Sequence, residues 1–279
     1  MSFKAALVQM RSGTDMARNF CEACDMIRAA QALGAQLVTT PEMTNILEPD
    51  RPRLKSLVRR EGEDSSVAGF ADLAKSLGIW LNIGSLALRG TKDQLLNRSL
   101  LFSPEGVIAA RYDKIHLFDV DLPDGTMLRE SHSFEAGSEA VLAPLPWAGL
   151  GMTICYDLRF PALYRALCQN GAEVISVPSA FTVPTGEAHW HVLLRARAIE
   201  TGSFVLAAAQ GGRHESGRET YGHSLAVSPW GEIMAEAAVE PQVLVADIDV
   251  AEVAAARHRI PALNHDQAFS LNTGAAIAR

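Results

Sequence analysis

Residues 151–161, GMTICYDLRFP, set the organisation of the chain. The apolar residues at the start of this stretch are typical of the end of a buried strand, and its last residues begin an apolar helical pattern. Cys155 therefore stands at a sharp turn between a strand and a helix. Free backbone N–H groups and the positive end of a helix favour a reactive thiolate at such a position. The charged neighbours Asp157 and Arg159 argue against a purely structural cysteine.

Outward from this turn, hydrophobic patterns of strands and helices alternate along the chain. The predicted strands are 3–10, 36–40, 79–88, 95–102, 107–115, 141–144, 151–154, 173–177, 204–209, 221–228, 233–236 and 243–248. The predicted helices are 15–33, 65–77, 163–169, 187–200 and 251–256, and 116–137 is a long irregular connection. We predict an α/β fold with two mixed sheets packed face to face and helices outside. One domain would span 1–265, followed by a tail over 266–279.

Composition and charge exclude several classes of function. The chain has 279 residues, 48% of them hydrophobic, and a formal net charge of −7. It lacks the basic clusters typical of proteins that bind nucleic acids or membrane surfaces. Its apolar runs are shorter than the roughly 18 residues of a membrane-spanning helix. Four cysteines and an apolar start too short for a signal peptide predict a reducing, cytoplasmic location.

Three polar residues follow apolar strand patterns at their ends: Glu42, Lys114 and Cys155. A thiol nucleophile needs a base that accepts its proton, and a buried carboxylate with a raised pKa can serve. Attack on a carbonyl or nitrile carbon builds negative charge, which an ammonium group stabilises. Each residue also has an ordinary alternative, since Glu42 could be a solvated loop residue and Lys114 an edge charge.

Other arrangements of reactive residues compete with this one. A Cys–His dyad would need one of four histidines as base. These are His116, His189, His191 and His223. Cys21 and Cys24 form a C-x-x-C inside a predicted helix, where packing is the favoured interpretation over zinc or redox chemistry. His189 and His191 cannot share one helix face, which argues against a metal pair. Arg195, Arg197 and Glu200 are interpreted as a structural ion-pair set on the helix or at a subunit interface, with substrate contact as the alternative.

Three blocks, Pro41-Glu42, residues 112–118 (YDKIHLF) and residues 151–161, resemble the signatures of the nitrilase superfamily of carbon–nitrogen hydrolases. The resemblance extends from Phe3 to about residue 265. It implies a four-layer αββα sandwich and a catalytic triad of Glu42, Lys114 and Cys155. It also implies a second, supporting glutamate in the long connection. The motif LRES, residues 128–131, assigns that role to Glu130, with Glu135 as the alternative.

The second half of the chain resembles the deaminated glutathione amidase branch of this superfamily. The segments that carry this likeness are 178–181 (PSAF), 186–190 (GEAHW), 194–201 (LRARAIET), 209–214 (AQGGRH) and 221–224 (YGHS). The branch implies hydrolysis of a small linear carboxamide to a carboxylic acid and ammonia through a cysteine thioester. An ω-amidase, an N-carbamoyl amidohydrolase and a non-catalytic binding protein remain alternatives. Residues 183–186, VPTG, depart from the pattern of the branch.

Four residues are candidates for substrate binding: Tyr156, Arg159, Phe181 and His189. The backbone N–H of Tyr156 would stabilise the oxyanion together with Lys114. Arg159 would bind a substrate carboxylate or pair with Asp157. The resemblance implies no metal and no cofactor, and it implies a homodimer or larger homo-oligomer.

Overall fold

The computed structural model describes residues 1–91, 94–121, 125 and 127–272. Over these residues the first half of the chain and one late strand build a six-stranded mixed sheet. Its strands are β1 (Ser2–Gln9), β2 (Leu37–Thr39), β3 (Trp80–Arg89), β4 (Leu95–Phe102), β5 (Ile108–Asp113) and β16 (Gln242–Asp249). Their order is β16-β1-β2-β3-β4-β5, and β1, β2 and β3 are parallel. Parallel neighbours bring their carboxyl ends to one edge, which is where β2 delivers the chain to Glu42.

The second half of the chain builds another six-stranded sheet of the described residues, in the order β15-β14-β11-β10-β9-β8. Its strands are β8 (Val141–Pro144), β9 (Gly149–Met152), β10 (Ala172–Ser176), β11 (Phe204–Ala207), β14 (Leu225–Val227) and β15 (Ile233–Glu236). Two small hairpins stand apart from the sheets. They are β6 (Asp119–Asp121) with β7 (Met127–Arg129), and β12 (Gly211–Arg213) with β13 (Glu219–Tyr221).

Helices α1 (Met16–Ala32) and α3 (Ser65–Leu77) cover the outer face of the first sheet, and α4 (Pro161–Gln169) and α5 (Val183–Thr201) cover that of the second. Helix α2 (Arg51–Leu57) lies beside the cavity described below, and α6 (Ala251–Arg259) follows β16. Strand β1 shows how the layers form, because its side chains alternate between two cores. Ala5 and Leu7 pack between the sheets, whereas Ala6 and Val8 pack against α1 and α3. The predicted αββα sandwich of two mixed sheets with outer helices is confirmed.

Local sequence explains where several helices begin and end. The Asp15 carboxylate caps α1 by accepting hydrogen bonds from the backbone N–H groups of Ala17 and Arg18. Gly78 and Gly202, both in the left-handed region, end α3 and α5. No helix in the described part of the chain is both long enough and apolar enough to cross a bilayer.

The structure differs from the sequence prediction in several places. Helix α2 and strand β12 were not predicted. Part of the connection predicted as irregular, 116–137, forms β6, β7 and a 3₁₀ turn at Glu130–His132, while 122–124 and 126 lie outside the described residues. Helix α5 starts at Val183 rather than 187, because Pro184 is favourable in a first turn. The predicted strand 221–228 is interrupted at Gly222 and His223, both with positive φ.

The domain boundary at 265 stays a prediction. Of the predicted tail, residues 273–279 lie outside the described residues.

Candidate active site

Cys155 lies three residues after the end of β9, at the sharp turn that the sequence predicted. Its φ of 50° is in the left-handed region, which is strained for a residue with a side chain. The backbone N–H of Cys155 donates to the carbonyl of Pro178 at 2.9 Å, and the thiol receives a hydrogen bond from the Ala180 N–H. A short 3₁₀ segment, Cys155–Arg159, then leads into α4. The segment that follows β10 thus fixes the turn at Cys155 through Pro178 and Ala180.

Glu42 lies in a tight turn after β2, and only 4% of it is exposed. The turn is fastened to β3 by two backbone hydrogen bonds: Ser85 N–H donates to Pro41 O at 3.2 Å, and Thr44 N–H donates to Ser85 O at 2.9 Å. Met43 takes a φ of 56°. The alternative of a solvated loop glutamate is wrong, because the carboxylate is buried at the edge where the two sheets meet.

Lys114 lies between two carboxylates. Its Nζ donates to Glu42 Oε1 at 2.8 Å and to Glu130 Oε2 and Oε1 at 2.8 and 3.1 Å. Glu130 also accepts a hydrogen bond from the Phe118 N–H at 2.7 Å. The structure places Glu130 rather than Glu135 beside the lysine. With 2% exposure, Lys114 is a buried charge and not an edge charge.

Asn97 is a member of this cluster that the sequence did not single out. Its Nδ2 donates to Glu42 Oε1 at 2.9 Å and to Glu130 Oε1 at 3.1 Å, and its backbone carbonyl accepts from the Lys114 N–H at 3.0 Å. The residue is fully buried on β4. The available signal was an amide side chain inside an apolar strand, where a buried polar group needs partners.

The electrostatics differ from the expectation in two respects. Burial raises the pKa of a carboxyl group, but the Lys114 ammonium and the hydrogen bonds to Glu42 outweigh it, so the pKa of Glu42 lies below its usual value. Burial, followed by the Glu42 carboxylate, raises the pKa of the Cys155 thiol. Burial was expected to raise the pKa of the carboxylate base, and the turn was expected to favour a thiolate. The pKa directions at Glu42 and Cys155 are the opposite, although a carboxylate that accepts a thiol proton agrees with the prediction. The pair rests as carboxylate and thiol.

Lys114 stays charged in this setting. Burial lowers the pKa of an ammonium group, yet the carboxylates of Glu130 and Glu42 raise that of Lys114 well above its ordinary value. The arrangement therefore combines a thiol, a carboxylate that can accept its proton and a fixed positive charge, the groups that acyl transfer through a thioester would use.

Asp157 connects the lysine segment to the cysteine turn. Its fully buried carboxylate accepts from the Tyr112 hydroxyl at 2.6 Å, from the Ile154 N–H at 2.8 Å, and from the backbone and ring of His116 at 3.0 and 2.7 Å. These contacts bind the two sequence blocks to each other. They also leave Asp157 unavailable to Arg159, so the predicted alternative of that ion pair is wrong.

The four histidines considered for a Cys–His dyad have other partners. His116 pairs with Asp157, and the guanidinium of Arg159 lies 3.3 Å from Nδ1 of His189. His191 and His223 both contact Glu236. The side-chain partner of the thiol is Glu42, which favours a carboxylate over an imidazole as the base.

The cluster opens into a cavity of ≈ 190 Å³. Glu42, Lys114, Glu130 and Cys155 line it, as do Tyr156 and Phe181 among the predicted substrate-binding residues. Arg159 stacks near the rings of Tyr156 and Phe181, at 5.8 and 5.6 Å from their centroids. Neither Arg159 nor the exposed His189 is among the lining residues.

Three arginines line the cavity without having been predicted: Arg51, Arg129 and Arg218. Arg129 pairs with Asp121 at 2.6 Å. Within the described residues, Arg51 and Arg218 form no ion pair with a carboxylate. The Arg218 guanidinium donates instead to the carbonyl of Ala180 at 2.9 Å. In the part of the chain that the structure describes, the opening thus presents two guanidinium groups that are not paired with a carboxylate.

Two motifs set aside on sequence grounds have structural roles. Cys24 lies on the buried face of α1, in the core between this helix and the first sheet, and the neighbouring Cys21 is exposed. Arg197 pairs with Glu200 at 2.8 Å and donates to the Leu158 carbonyl at 3.0 Å, while Arg195 donates to the Gly231 carbonyl at 2.8 Å.

Comparison with known proteins places this site in a family. The family model for carbon–nitrogen hydrolase matches residues 4–258. The deaminated glutathione amidase of Yersinia enterocolitica is 40% identical over 268 residues, which are 95% of this chain and 93% of the relative. The crystal structure of the Caenorhabditis elegans NitFhit protein superposes with a TM-score of 0.90 at 36% identity. This match covers 95% of this chain and 65% of the longer NitFhit chain.

A third match concerns the nucleophile of a relative. A mutant amidase from Nesterenkonia sp. AN1, with acrylamide added at its active-site cysteine, superposes with a TM-score of 0.78 at 27% identity. The match covers 93% of this chain and 98% of that one. The family match and these relatives agree with the resemblance in the sequence. The chain is an amidase that belongs to the carbon–nitrogen hydrolase family.

Proposed function

We propose that the chain hydrolyses a small linear amide through a thioester on Cys155, and that its substrate is deaminated glutathione. The observation that carries the mechanism is the contact of Cys155 with Glu42 beside a lysine fixed between two glutamates. The name of the Yersinia relative supports the substrate. These relatives also favour catalysis over a non-catalytic binding role.

In the first half-reaction the Cys155 thiol loses its proton to Glu42 as the sulfur attacks the amide carbon. Lys114 and Asn97 occupy Oε1 of Glu42, so Oε2 receives this proton. An ammonium group has three N–H bonds. On Lys114 one serves Glu42, and one is shared between the two carboxylate oxygens of Glu130. The third faces the oxyanion together with the Tyr156 N–H. Removal of one such donor typically costs about 3–4 kcal/mol of transition-state stabilisation.

The C–N bond then breaks as Glu42 returns the proton to the departing nitrogen, which leaves an acyl thioester. In the second half-reaction Glu42 removes a proton from water, and the oxygen attacks the thioester carbon. The C–S bond breaks and the sulfur recovers its proton. The thiol proton leaves with the amine, and a proton from water restores the thiol. Cys155 and Glu42 thus end in their starting states, and the cycle consumes only water.

The leaving group depends on which amide is cleaved. Deaminated glutathione carries a five-carbon oxo-acid joined to the amino group of cysteinylglycine. Cleavage there releases 2-oxoglutarate and a dipeptide amine, whereas a primary amide such as 2-oxoglutaramate releases 2-oxoglutarate and ammonia. The expected ammonia product thus applies only to primary amides. Arg51 and Arg218 suit both substrates, because each substrate carries carboxylates.

The test measures 2-oxoglutarate release from deaminated glutathione and from 2-oxoglutaramate, with wild type, Cys155→Ala and Cys168→Ala. Cys168 is also buried but hydrogen-bonds to Ser203 away from the site, so it is a matched control. We expect a higher kcat/KM for deaminated glutathione, abolished only by Cys155→Ala. Preference for 2-oxoglutaramate would make the enzyme an ω-amidase. Activity in Cys155→Ala would disprove the thioester mechanism, and no turnover of either amide would disprove the substrate assignment.

We also propose a homo-oligomer, at least a dimer, in the cytoplasm. Exposed apolar side chains on α5 and beside the β14–β15 turn support self-association. They are Val192, Ile199, Trp230 and Ile233. The four cysteines are free thiols, which suits a reducing compartment. Cell fractionation with an antibody against the chain tests the location.

A further inference from the structure

We propose that His191, His223 and Glu236 form a binding site for a divalent transition-metal ion, with Zn²⁺ as the first candidate. His191 lies on α5, His223 lies between β13 and β14, and Glu236 ends β15. One nitrogen from each histidine and one carboxylate oxygen lie within 4.8 Å of one another. This site is separate from the amidase cavity and takes no part in the proposed reaction.

The spacing of the donor atoms suits a metal ion. Nε2 of His191 lies 2.8 Å from Glu236 Oε1, and Nδ1 of His223 lies 3.2 Å from the same oxygen. Tetrahedral zinc, with bonds of about 2.0–2.2 Å, places its ligand atoms about 3.4 Å apart. Small ring and carboxylate rotations therefore bring the three donors to one ion, with the remaining position open to water. Two histidines and one carboxylate form a familiar ligand set for zinc and its neighbours.

The charged neighbours also suit a cation. Within the described residues, the Glu236 carboxylate pairs with these two histidines and with no lysine or arginine. On binding, each neutral imidazole carries its single proton on the other ring nitrogen and offers a lone pair to the ion.

The surroundings hold the ligands in place before any ion binds. The Tyr221 ring stacks on His223 at 4.3 Å and meets His191 edge-on at 6.0 Å. The Trp190 indole donates to the His223 carbonyl at 2.7 Å, and His223 adopts a strained φ of 53°. Backbone strain of this kind persists only where neighbouring contacts determine the conformation. An ion here would link α5 to the connection between β13 and β14 and to β15.

The test is titration calorimetry with Zn²⁺ on full-length protein. All samples carry Cys155→Ala, so that the active-site thiol does not compete for the ion. Variants His191→Ala and Glu236→Gln remove one ligand each, and His258→Ala removes an exposed histidine on α6 as a matched control. We expect one Zn²⁺ per chain in the parent and the control, and at least about tenfold weaker binding in both ligand variants.

A second readout separates binding from folding. Because the ion binds only the folded chain, Zn²⁺ should raise the melting temperature of the parent and of His258→Ala, and should not raise that of Glu236→Gln. Circular dichroism without metal checks that each variant folds, and Glu236→Gln keeps the shape of the side chain it replaces. Equal Zn²⁺ affinity in parent and ligand variants, or no saturable binding in the parent, would overturn the proposal.

Discussion

Asn97 joins two buried carboxylates that would otherwise repel each other. Its two amide hydrogens go to Glu42 Oε1 and Glu130 Oε1, and Lys114 bridges the same pair of side chains. Each donor stabilises the charged form of Glu42. Asn97 also fixes the orientation of Glu42, because a carboxylate oxygen held by two donors is not free to turn toward the thiol. We therefore consider Asn97 a positioning residue.

Asn97→Ala should lower kcat/KM by about 10- to 100-fold, the size typical of lost positioning contacts around a reactive group. It should also shift the acidic limb of the pH profile. The hydrogen bond from Asn97 lowers the pKa of Glu42, so its loss raises that pKa. As the pH is lowered, the variant should therefore lose activity at a higher pH than wild type does. Steady-state kinetics across pH measure both effects.

Asn82→Ala is the control for this substitution, because Asn82 is equally buried and bonds to Thr39 and Ser99 rather than to the glutamates. It should lower stability without moving the pH profile. A similar acidic limb in wild type and Asn97→Ala would contradict the positioning role.

Arg218 makes a separate prediction about specificity. The Arg218 side chain lines the cavity and donates a hydrogen bond to the carbonyl of Ala180. Because the N–H of Ala180 contacts Cys155, the guanidinium lies close to the acyl part of a bound substrate. Arg218→Met should raise KM for 2-oxoglutaramate and deaminated glutathione by about tenfold or more, since a charge-assisted hydrogen bond contributes about 1.5–3 kcal/mol. Initial-rate kinetics measure the change.

Hydrolysis of butyramide, which has no carboxylate, should not depend on Arg218 if the guanidinium binds the acyl carboxylate. Arg213→Met, an exposed arginine on the same hairpin, is the matched control. An equal loss on all three amides would instead assign Arg218 a structural role.

At the scale of elements, Gly84 on β3 sets the distance between the two halves of the site. A Cβ at this position would lie 1.8 Å from the carbonyl oxygen of Thr40 and 2.4 Å from Cβ of Pro178. Thr40 leads into the Glu42 turn, and Pro178 accepts the hydrogen bond from the Cys155 N–H. The close approach of β3 to both segments thus requires glycine.

Gly84→Ala should destabilise the fold by at least about 2 kcal/mol, because the clash involves backbone atoms that cannot rotate away. It should also reduce kcat, since the Glu42 and Cys155 turns must move apart. Urea denaturation and amidase kinetics measure the two effects. Gly62→Ala is the control, since nothing lies within 4 Å of its new methyl group. Wild-type stability in Gly84→Ala would show that the turns yield without cost.

The elements also show what the sequence can and cannot predict. Glu42, Lys114 and Cys155 were identifiable because each follows an apolar strand, and strand ends are readable from hydrophobic patterning. The alternation of β1 between two cores likewise follows from its sequence. Asn97 and Arg218 were not identifiable, because their roles depend on contacts between residues far apart in the chain. Whether the pKa values of Glu42 and Cys155 are raised or lowered depends on the distances among Glu42, Lys114 and Cys155. Hydrophobic patterning does not give these distances.

At the scale of the whole molecule, the two sheets contribute different parts of the site. The first sheet holds Glu42, Asn97 and Lys114 at its edge, and the second presents Cys155. Asp157 accepts hydrogen bonds from Tyr112 and His116 across this junction. The geometry of the candidate site is thus a property of sheet packing.

An apolar face on the surface of the second half of the chain is formed by Ile199 on α5 and by Trp230 in the β14–β15 turn. Ile199 is 52% exposed, and its side chain contacts the turn at Gly231. If two copies of the chain associate through this face, Ile199→Glu should convert dimers to monomers, because a buried unpaired charge is strongly unfavourable. Leu33→Glu, at a site 51% exposed after α1, should leave the dimer intact. Sedimentation velocity at micromolar concentration distinguishes the species. A monomeric wild type, or a dimeric Ile199→Glu variant, would show that this face does not join two copies.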